Sequence, residues 1–309
     1  MNTYLKYQPP AIQFLFFLAL AFGFFLLNYA VSSFFFSDIS TILVNKNAVV
    51  STGLINKFKL AQLAGTIISF ILPALLFGYY SSPKALPYIG IQKVIAPVLI
   101  IASVLLLLCI QPFVGWLGEM NAHTKFGSLQ KSFEEMEALY NRALKVFLQM
   151  NNFGDLLVNL FIMALLPAIA EELFFRGALQ KTLLRMSQRP WLAILMSSVV
   201  FGLLHGTFFK LLPIFTLGLL LGTVYHVTRN LWYTITIHFL NNAFAVLSVY
   251  YAGQSEILKK LANDEISVPV YSALISLVIG VGIIYFIKRK SDEVLPEIIT
   301  NDDNDYLAK

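Results

Sequence analysis

Long apolar runs separated by short charged stretches constrain the fold of this chain more than any other feature. A helix needs ~20 mostly apolar residues to cross the hydrocarbon core of a bilayer, and eight runs reach or approach that length. They lie at residues 11–36, 60–80, 94–117, 155–176, 191–208, 211–228, 231–251 and 268–287. The pattern therefore predicts an all-α fold, a polytopic membrane helical bundle with about eight transmembrane helices.

The composition agrees with a membrane location and argues against a soluble domain. Of the 309 residues, 58% are hydrophobic and 13% are charged, whereas soluble domains carry about 25% charged residues. The net charge is +5, but the basic residues lie mostly beside apolar runs, where lipid headgroups account for them. We therefore predict membrane lipids as partners and no binding of nucleic acid.

The distribution of polar residues divides the chain into three regions. Residues 1–154 hold about three spans and an amphipathic linker helix, whose apolar side chains recur every 3–4 residues within 118–154. Residues 155–290 form a membrane core that carries most of the intramembrane polar groups, and we interpret this region as catalytic. Residues 291–309 form a polar C-terminal tail that is predicted to be disordered.

An even number of spans places both termini on one side of the membrane. Lys288, Arg289 and Lys290 follow the last span and favour the cytoplasm for that side. A predicted loop with Lys181, Arg185 and Arg189, which contains no acidic residue, lies on the same side. We therefore expect an integral multi-pass protein in the plasma (inner) membrane of a prokaryote, with cytoplasmic termini.

Ionisable side chains inside spans are costly, so each group calls for a partner or a function. Glu171, Glu172 and Arg176 stand at the end of the fourth predicted span. Glu172 and Arg176 are four residues apart on a helix and can pair, whereas Glu171 points about 100° away around the axis. A purely structural ion cluster is the alternative explanation.

Two later spans each present a histidine on a defined helix face. His205 lies four residues after Phe201, and His238 lies four residues before Asn242, so the members of each pair share a face. Two polar side chains stacked in an apolar helix favour a polar cavity. Each pair also has a purely structural explanation. His205 could donate a hydrogen bond to a backbone carbonyl, and His238 and Asn242 could form hydrogen bonds to a neighbouring helix.

Two glycine pairs predict close contacts between helices. Gly202 and Gly206 flank His205, and Gly218 and Gly222 lie in the following span. Small residues four apart let a second helix approach closely, so we expect both pairs to lie at helix interfaces.

Together, a carboxylate, two histidines and an amide on three spans are sufficient to hydrolyse a peptide bond. A glutamate can act as general base on water, and a histidine can orient that water or protonate the leaving amine. A histidine and an asparagine can donate hydrogen bonds to the tetrahedral oxyanion, a contribution of ~3–4 kcal/mol per donor. No serine, cysteine or threonine nucleophile is needed.

At these residues the chain resembles the CPBP or Abi family of intramembrane glutamic endopeptidases, which includes the type II CAAX prenyl endopeptidases. The family pattern is EExxxR, then FxxxH, then HxxxN or HxxxD, each on a membrane helix. In this chain the three motifs are Glu171-Glu172-x-x-x-Arg176, Phe201-x-x-x-His205 and His238-x-x-x-Asn242. The resemblance covers residues 155–250, whereas the first three spans match only in being hydrophobic.

The resemblance implies a role for each motif residue. Glu171 and His205 would activate water, and His238 and Asn242 would form the oxyanion hole. Glu172 and Arg176 would support the site structurally by holding its helices together.

The resemblance also implies eight helices around a conical cavity that opens to the cytosolic side. It implies a peptide or protein substrate with or without an attached lipid. We expect no cofactor, because the HExxH spacing is absent and Asn242 is a poor zinc ligand. Eukaryotic members cleave the last three residues from prenylated CAAX proteins, and prokaryotic members include roles in peptide maturation and bacteriocin self-immunity.

Three alternatives stay open. Glu171, His205 and His238 are acceptable zinc ligands, which would leave a fourth position for water. Intramembrane glutamate and histidine could relay protons in a transporter or channel, although the sequence shows no inverted repeat. The chain could also be a non-catalytic membrane scaffold or a bacteriocin-immunity-type protein that keeps the same residues.

Overall fold

The structure is a computed structural model that describes residues 4–36, 51–262 and 267–294. Most of these residues are helical, and no strand occurs among them. We number the nine longer helices in chain order: α1 Pro10–Phe35, α2 Thr52–Ser81, α3 Pro97–Ala122, α4 Gln130–Phe147, α5 Phe153–Ser187, α6 Pro190–Leu204, α7 Leu211–Thr228, α8 Leu231–Tyr250 and α9 Val270–Val294. Shorter turns and helices span Tyr4–Tyr7, Ala85–Tyr88, Gly127–Leu129 and Glu256–Ala262.

The predicted all-α polytopic bundle is confirmed, and the chain is an integral multi-pass membrane protein. The described residues contain six helices that are long and apolar enough to cross a membrane: α1, α2, α3, α5, α7 and α9. The other two predicted spans coincide with α6, an apolar helix of only 15 residues, and with the 20-residue α8, which carries the polar residues of the third motif. The predicted count of eight spans is therefore not confirmed.

The amphipathic helix predicted within 118–154 is present as α4. Residues 291–294, which were predicted to belong to the polar tail, are part of α9, which ends at Val294. Residues 295–309 lie outside the described part of the chain.

Helix α5, which carries Glu171 and Glu172, is wider than a regular α-helix in two places. Its π-helical turns span Leu160–Leu165 and Leu173–Gln180. Pro167 follows the first turn closely, and proline lacks an N–H and clashes with the carbonyl four residues earlier, so a wider turn relieves that clash. The glutamates therefore lie between two local widenings of one helix, a feature that is frequent at functional sites.

The fourth predicted span, 155–176, is too short. Helix α5 continues to Ser187, so the first motif lies in the middle of a helix and not at its end. Lys181 and Arg185, which were expected in a loop, are buried on this helix. The prediction of a loop from these two positive charges was wrong, because both side chains donate hydrogen bonds to acceptors inside the bundle.

These acceptors come from the N-terminal part of the chain. The Lys181 ammonium donates to the carbonyl of Tyr88 (2.7 Å). Arg185 Nη1 donates to the Gln13 side-chain oxygen (2.7 Å) and to the Tyr88 hydroxyl (2.8 Å). Since buried polar groups are costly unless they are hydrogen-bonded, these contacts fix α1 and the Ala85–Tyr88 turn against α5.

We call one end of the bundle the terminal end, because both described chain ends lie there. Three hydrogen bonds connect its segments. The Gln13 and Arg185 side chains are bonded to each other, and the side chains of Asn230 and Ser291 donate to the backbone carbonyls of Val94 and Val227, respectively. Helix α1 begins and helices α5 and α9 end in this region. It also contains the start of α8 at Leu231.

The opposite end, which we call the far end, contains α4 and the segment between α6 and α7. Asn121, near the end of α3, donates to the carbonyl of Phe208 (3.0 Å) and accepts from the amide of Leu212 (2.7 Å). Phe147 of α4 contacts Phe58 of α2 edge to face. Helix α6 therefore runs from the terminal end toward the far end.

The predicted packing role of Gly218 and Gly222 is confirmed. A Cβ atom on Gly218 would lie 3.1 Å from Ser198 Cβ, and one on Gly222 would lie 3.0 Å from Ile194 Cγ2. Both neighbours belong to α6, so the two glycines let α6 and α7 approach closely.

The other glycine pair behaves differently at its two positions. A Cβ atom on Gly202 would lie 3.0 Å from Leu211 Cδ1, as expected of a helix contact. Gly206 has no neighbouring atom within 4 Å of such a Cβ, and its φ of +67° turns the chain away from α6. The packing prediction for Gly206 is therefore wrong, and its conformational freedom serves the turn.

We expect Gly177→Ala to destabilise the fold, because the new Cβ would lie 2.5 Å from the backbone carbonyl oxygen of Ile89. Overpacking of this kind costs about 1–3 kcal/mol, so the melting temperature in detergent should fall clearly. Gly23→Ala is the matched control, since that helical glycine has no atom within 4 Å of the added Cβ. Equal melting temperatures for the two variants would contradict the close contact.

Candidate active site

Three helices bring the predicted carboxylate and both predicted histidines together. Glu171 comes from α5, His205 from the C-terminal cap of α6 and His238 from α8. One oxygen of Glu171, Oε2, lies 4.0 Å from His205 Nε2 and 3.8 Å from His238 Nε2. One residue from each of the three sequence motifs therefore lies at this point, and the two histidines surround a single carboxylate oxygen.

His205 is oriented by the helix that it ends. Its Nδ1 lies 2.7 Å from the carbonyl oxygen of Phe201, and since a carbonyl only accepts, Nδ1 is the donor. The hydrogen bond to its own helix, which was expected as an alternative to function, therefore turns the other ring nitrogen toward Glu171.

Glu172 connects the first and third motifs. Its Oε1 accepts from Arg176 Nη1 (2.7 Å) and from His238 Nδ1 (3.0 Å). The exposed fractions of the three residues are 0%, 1% and 2% in that order. The predicted pairing of Glu172 and Arg176 is confirmed, whereas the contact with His238 was not predicted, because helical spacing reveals only neighbours on the same helix.

Arg176 is held by two further contacts. Its Nη2 donates to the carbonyl of Gly218 (3.1 Å) on α7, and its guanidinium carbon lies 4.7 Å from the ring centroid of Phe201. A guanidinium over an aromatic face is attracted by the ring. Arg176 therefore fixes α5 against both α6 and α7.

Phe201 lies beneath both histidines. Its fully buried ring has centroid distances of 4.6 Å to His205 and 5.8 Å to His238. The four-residue spacing of the second motif thus has a physical reason in this structure, because one aromatic side chain limits how both imidazoles can rotate.

Asn242 lies one helical turn beyond His238, on the side of the far end. Its Oδ1 accepts a hydrogen bond from Asn241 Nδ2 (3.4 Å), which leaves the amide nitrogen of Asn242 available as a donor. Glu171 and His205 have exposed side-chain fractions of 17% and 29%, whereas His238 has 3%. Glu171 and His205 are therefore the partly exposed residues of the site, whereas His238 is buried.

The three candidate zinc ligands, Glu171, His205 and His238, lie near one another without the spacing of a formed metal site. Among the described residues, no group of three or more His, Cys, Asp or Glu side chains has the arrangement of a metal site. Two ligands of tetrahedral zinc lie about 3.4 Å apart, given bonds of ~2.0–2.1 Å. The 3.8 and 4.0 Å separations around Glu171 exceed that value.

Comparison with known families agrees with the motifs. Residues 153–244 match the family model described as type II CAAX prenyl endopeptidase Rce1-like. The matched segment is 92 of the 309 residues and contains every residue of the three motifs. The predicted resemblance is confirmed, and at the level of this family it supports an intramembrane protease of the CAAX type. No curated protein and no solved structure matches the chain.

Arg176→Ala should lower the stability and the yield of the protein, because it removes the main counter-charge of the buried Glu172. Breaking a buried pair by removing one partner costs about 3–5 kcal/mol. Arg189→Ala, at an exposed arginine after the same helix, is the control and should leave the melting temperature unchanged. The double variant Glu172→Gln/Arg176→Met should recover part of the loss, and a stable Arg176→Ala protein would contradict the pairing.

Proposed function

We propose that this protein is an intramembrane endopeptidase that hydrolyses a peptide bond near the membrane surface by means of a glutamate-activated water. Glu171 acts as general base, His205 assists it, and His238 and Asn242 bind the oxyanion. Glu172 and Arg176 hold these groups in place. The observation that carries the proposal is the position of Glu171 Oε2 between the Nε2 atoms of two histidines.

This oxygen is suited to hold a water molecule. Glu171 Oε2 is buried and accepts no hydrogen bond from any described residue, and a buried acceptor without a donor is costly. In the neutral form of His205, Nε2 is also an acceptor, because Nδ1 carries the proton. A water molecule has two O–H donors and can donate to both Glu171 and His205.

The reaction follows from these positions. Glu171 takes a proton from the water while the water oxygen forms a bond to the carbonyl carbon of the substrate. The tetrahedral intermediate then collapses, the C–N bond breaks, and the proton reaches the leaving amine through His205. General acid–base transfer of this kind contributes typically 10²–10⁴-fold to the rate.

The oxyanion requires donors on the other side of the carbonyl. Asn242 offers its amide N–H groups, and a doubly protonated His238 offers Nε2–H while its Nδ1–H stays bonded to Glu172. Such donors stabilise developing charge most when they are fixed before the reaction, and the buried contacts of Glu172 supply that rigidity.

The substrate is a peptide or protein that reaches the site from the far end. The family match motivates a prenylated peptide ending in a CAAX sequence as the first substrate to test. We place the protein in the plasma membrane of a prokaryote, with membrane lipids around its apolar helices.

Glu171→Gln should reduce cleavage by at least about 10²-fold, because the amide cannot accept the proton from water. The assay follows release of the terminal tripeptide from a farnesylated CAAX peptide and from its unprenylated counterpart, with protein in liposomes. Glu171→Ala should likewise abolish cleavage with the melting temperature retained. In native membranes, the Glu171→Gln protein should also trap uncleaved substrate for mass spectrometry.

A variant at Glu171 that cleaves as fast as the parent would contradict the mechanism. Glu135→Ala, at an exposed glutamate of α4, is the control for removal of a carboxylate without effect on the site. If Glu171→Ala and His205→Ala proteins keep the full biological effect in cells, the non-catalytic scaffold replaces the peptidase as the explanation.

Zinc-assisted hydrolysis at the same residues is the second candidate, and one observation favours it. Metal-bound histidines commonly donate their other ring N–H to a carboxylate or a carbonyl. His238 donates to Glu172 and His205 donates to Phe201 in this way. Zinc would bind Glu171 and the two Nε2 atoms and would lower the pKa of a bound water.

Metal analysis of the purified, active protein separates the two mechanisms. We expect substoichiometric zinc and cleavage that persists after dialysis against a strong chelator. Stoichiometric zinc, together with activity that is lost on chelation and restored by added zinc, would establish the metal-dependent mechanism instead.

A further inference from the structure

An apolar groove lies on the outer surface of the bundle, between α3 and α9. Four residues of α3 between Val98 and Leu105 line it together with four residues of α9 between Ile279 and Phe286, and all eight are apolar. Its volume is about 360 Å³, which is within the range of pockets that bind small molecules. Ile101 and Phe286 on its two walls are 60% and 47% exposed, so the groove opens toward the lipid.

The groove exists because two neighbouring glycines of α9 face different ways. A Cβ atom on Gly280 would lie 2.8 Å from Ile110 Cδ1 of α3, so this glycine lets the two helices approach closely. Gly282 lines the groove and has no atom within 4 Å of an added Cβ. The helices are therefore in tight contact on one side of α9 and leave open space on the other.

The groove reaches the terminal end of the bundle. Val98 is the second residue of α3, and Val94, four residues earlier, accepts one of the hydrogen bonds that define this end. On α9, Phe286 lies five residues before Ser291, which donates another of them. Seven residue steps on each helix correspond to about 10 Å, a third of a hydrocarbon core of ~30 Å. The groove therefore lies within one leaflet.

Positive charge follows directly on the apolar lining. Arg289 and Lys290 lie three and four residues after Phe286 and thus continue the groove face of α9. Both side chains contact Glu293, at 3.6 Å from Arg289 Nε and 2.7 Å from Lys290 Nζ. These pairs are solvent-exposed and therefore weak, so a phosphate can compete with the carboxylate. Lys93, exposed four residues before α3 begins, adds a further positive charge at the same end.

We propose that this groove binds a phospholipid with an anionic headgroup. One acyl chain lies between α3 and α9 along Gly282, and the headgroup phosphate contacts Arg289 and Lys290. A ligand for such a surface must be apolar over about 10 Å and negatively charged next to that stretch, and an anionic phospholipid has both properties. Basic pockets between transmembrane helices are a recurrent form of site for anionic headgroups. The site contains no residue of the candidate active site.

Thermal melting of the full-length protein, washed free of native lipid in detergent micelles, tests the proposal without any assay of cleavage. Phosphatidylglycerol should raise the melting temperature more than phosphatidylcholine with the same acyl chains, because a ligand that binds only the folded state stabilises it by mass action. A phosphatidylglycerol with a photoactivatable acyl chain should crosslink within residues 98–105 or 279–286.

Filling the groove should remove both effects. Gly282→Leu places a side chain in the open space, and Gly23→Leu on α1 is the matched control. Neither glycine has an atom within 4 Å of the added Cβ, so both proteins should fold. Gly282→Leu should abolish the additional stabilisation by phosphatidylglycerol and the crosslink, whereas Gly23→Leu should behave like the parent.

The charge variants have opposite expected signs. Arg289→Gln and Lys290→Gln should each weaken phosphatidylglycerol binding about fivefold, as expected for one cation beside an anionic headgroup. Glu293→Gln should strengthen binding, because it removes the carboxylate that competes with the phosphate. Arg189→Gln removes an exposed arginine after α5 and should change nothing, which controls for total charge.

The proposal is wrong if the two lipids stabilise the parent equally, if crosslinks fall outside the two segments, or if Gly282→Leu keeps the preference for phosphatidylglycerol. Displacement of the photoactivatable lipid by a farnesylated peptide would also overturn it, since the groove would then hold the lipid chain of a substrate. None of these results depends on peptide cleavage, so the lipid site and the peptidase fail separately.

Discussion

The buried contact among Glu172, Arg176 and His238 is the interaction on which the rest of the site depends. One carboxylate oxygen receives hydrogen bonds from two helices, and Arg176 extends the contact to the backbone of a third helix at Gly218. In a low-dielectric interior such a junction is stable only when every partner is present. It therefore fixes the relative positions of α5, α7 and α8, and with them the ring of His238 opposite Glu171.

The depth of the site follows from the unequal lengths of its helices. Helix α5 has 35 residues and at 1.5 Å per residue extends about 50 Å, which is more than a hydrocarbon core of ~30 Å requires. Helix α6 has 15 residues and extends only about 22 Å. His205, which caps the C-terminal end of α6, thus lies beside the middle of α5, close to Glu171.

Much of the fold and the site could be predicted from the sequence, because both depend on local patterns. Apolar length predicted the helices, and four-residue spacing predicted the Glu172–Arg176 pair and the shared faces of the histidine motifs. Contacts between distant segments, such as Glu172 with His238 and Glu137 with Thr207, leave no such signal. The end of α5 was missed because Lys181 and Arg185 look like interfacial charges until their buried acceptors are known.

The far end and the terminal end are opposite ends of the bundle, and the first described helix begins and the last one ends at the terminal end. Under the proposed entry of the substrate from the far end, cytoplasmic termini, which Lys288–Lys290 favour, and a cavity that opens to the cytosol, which the family resemblance implies, would place both ends of the bundle in one compartment, so these two expectations exclude each other.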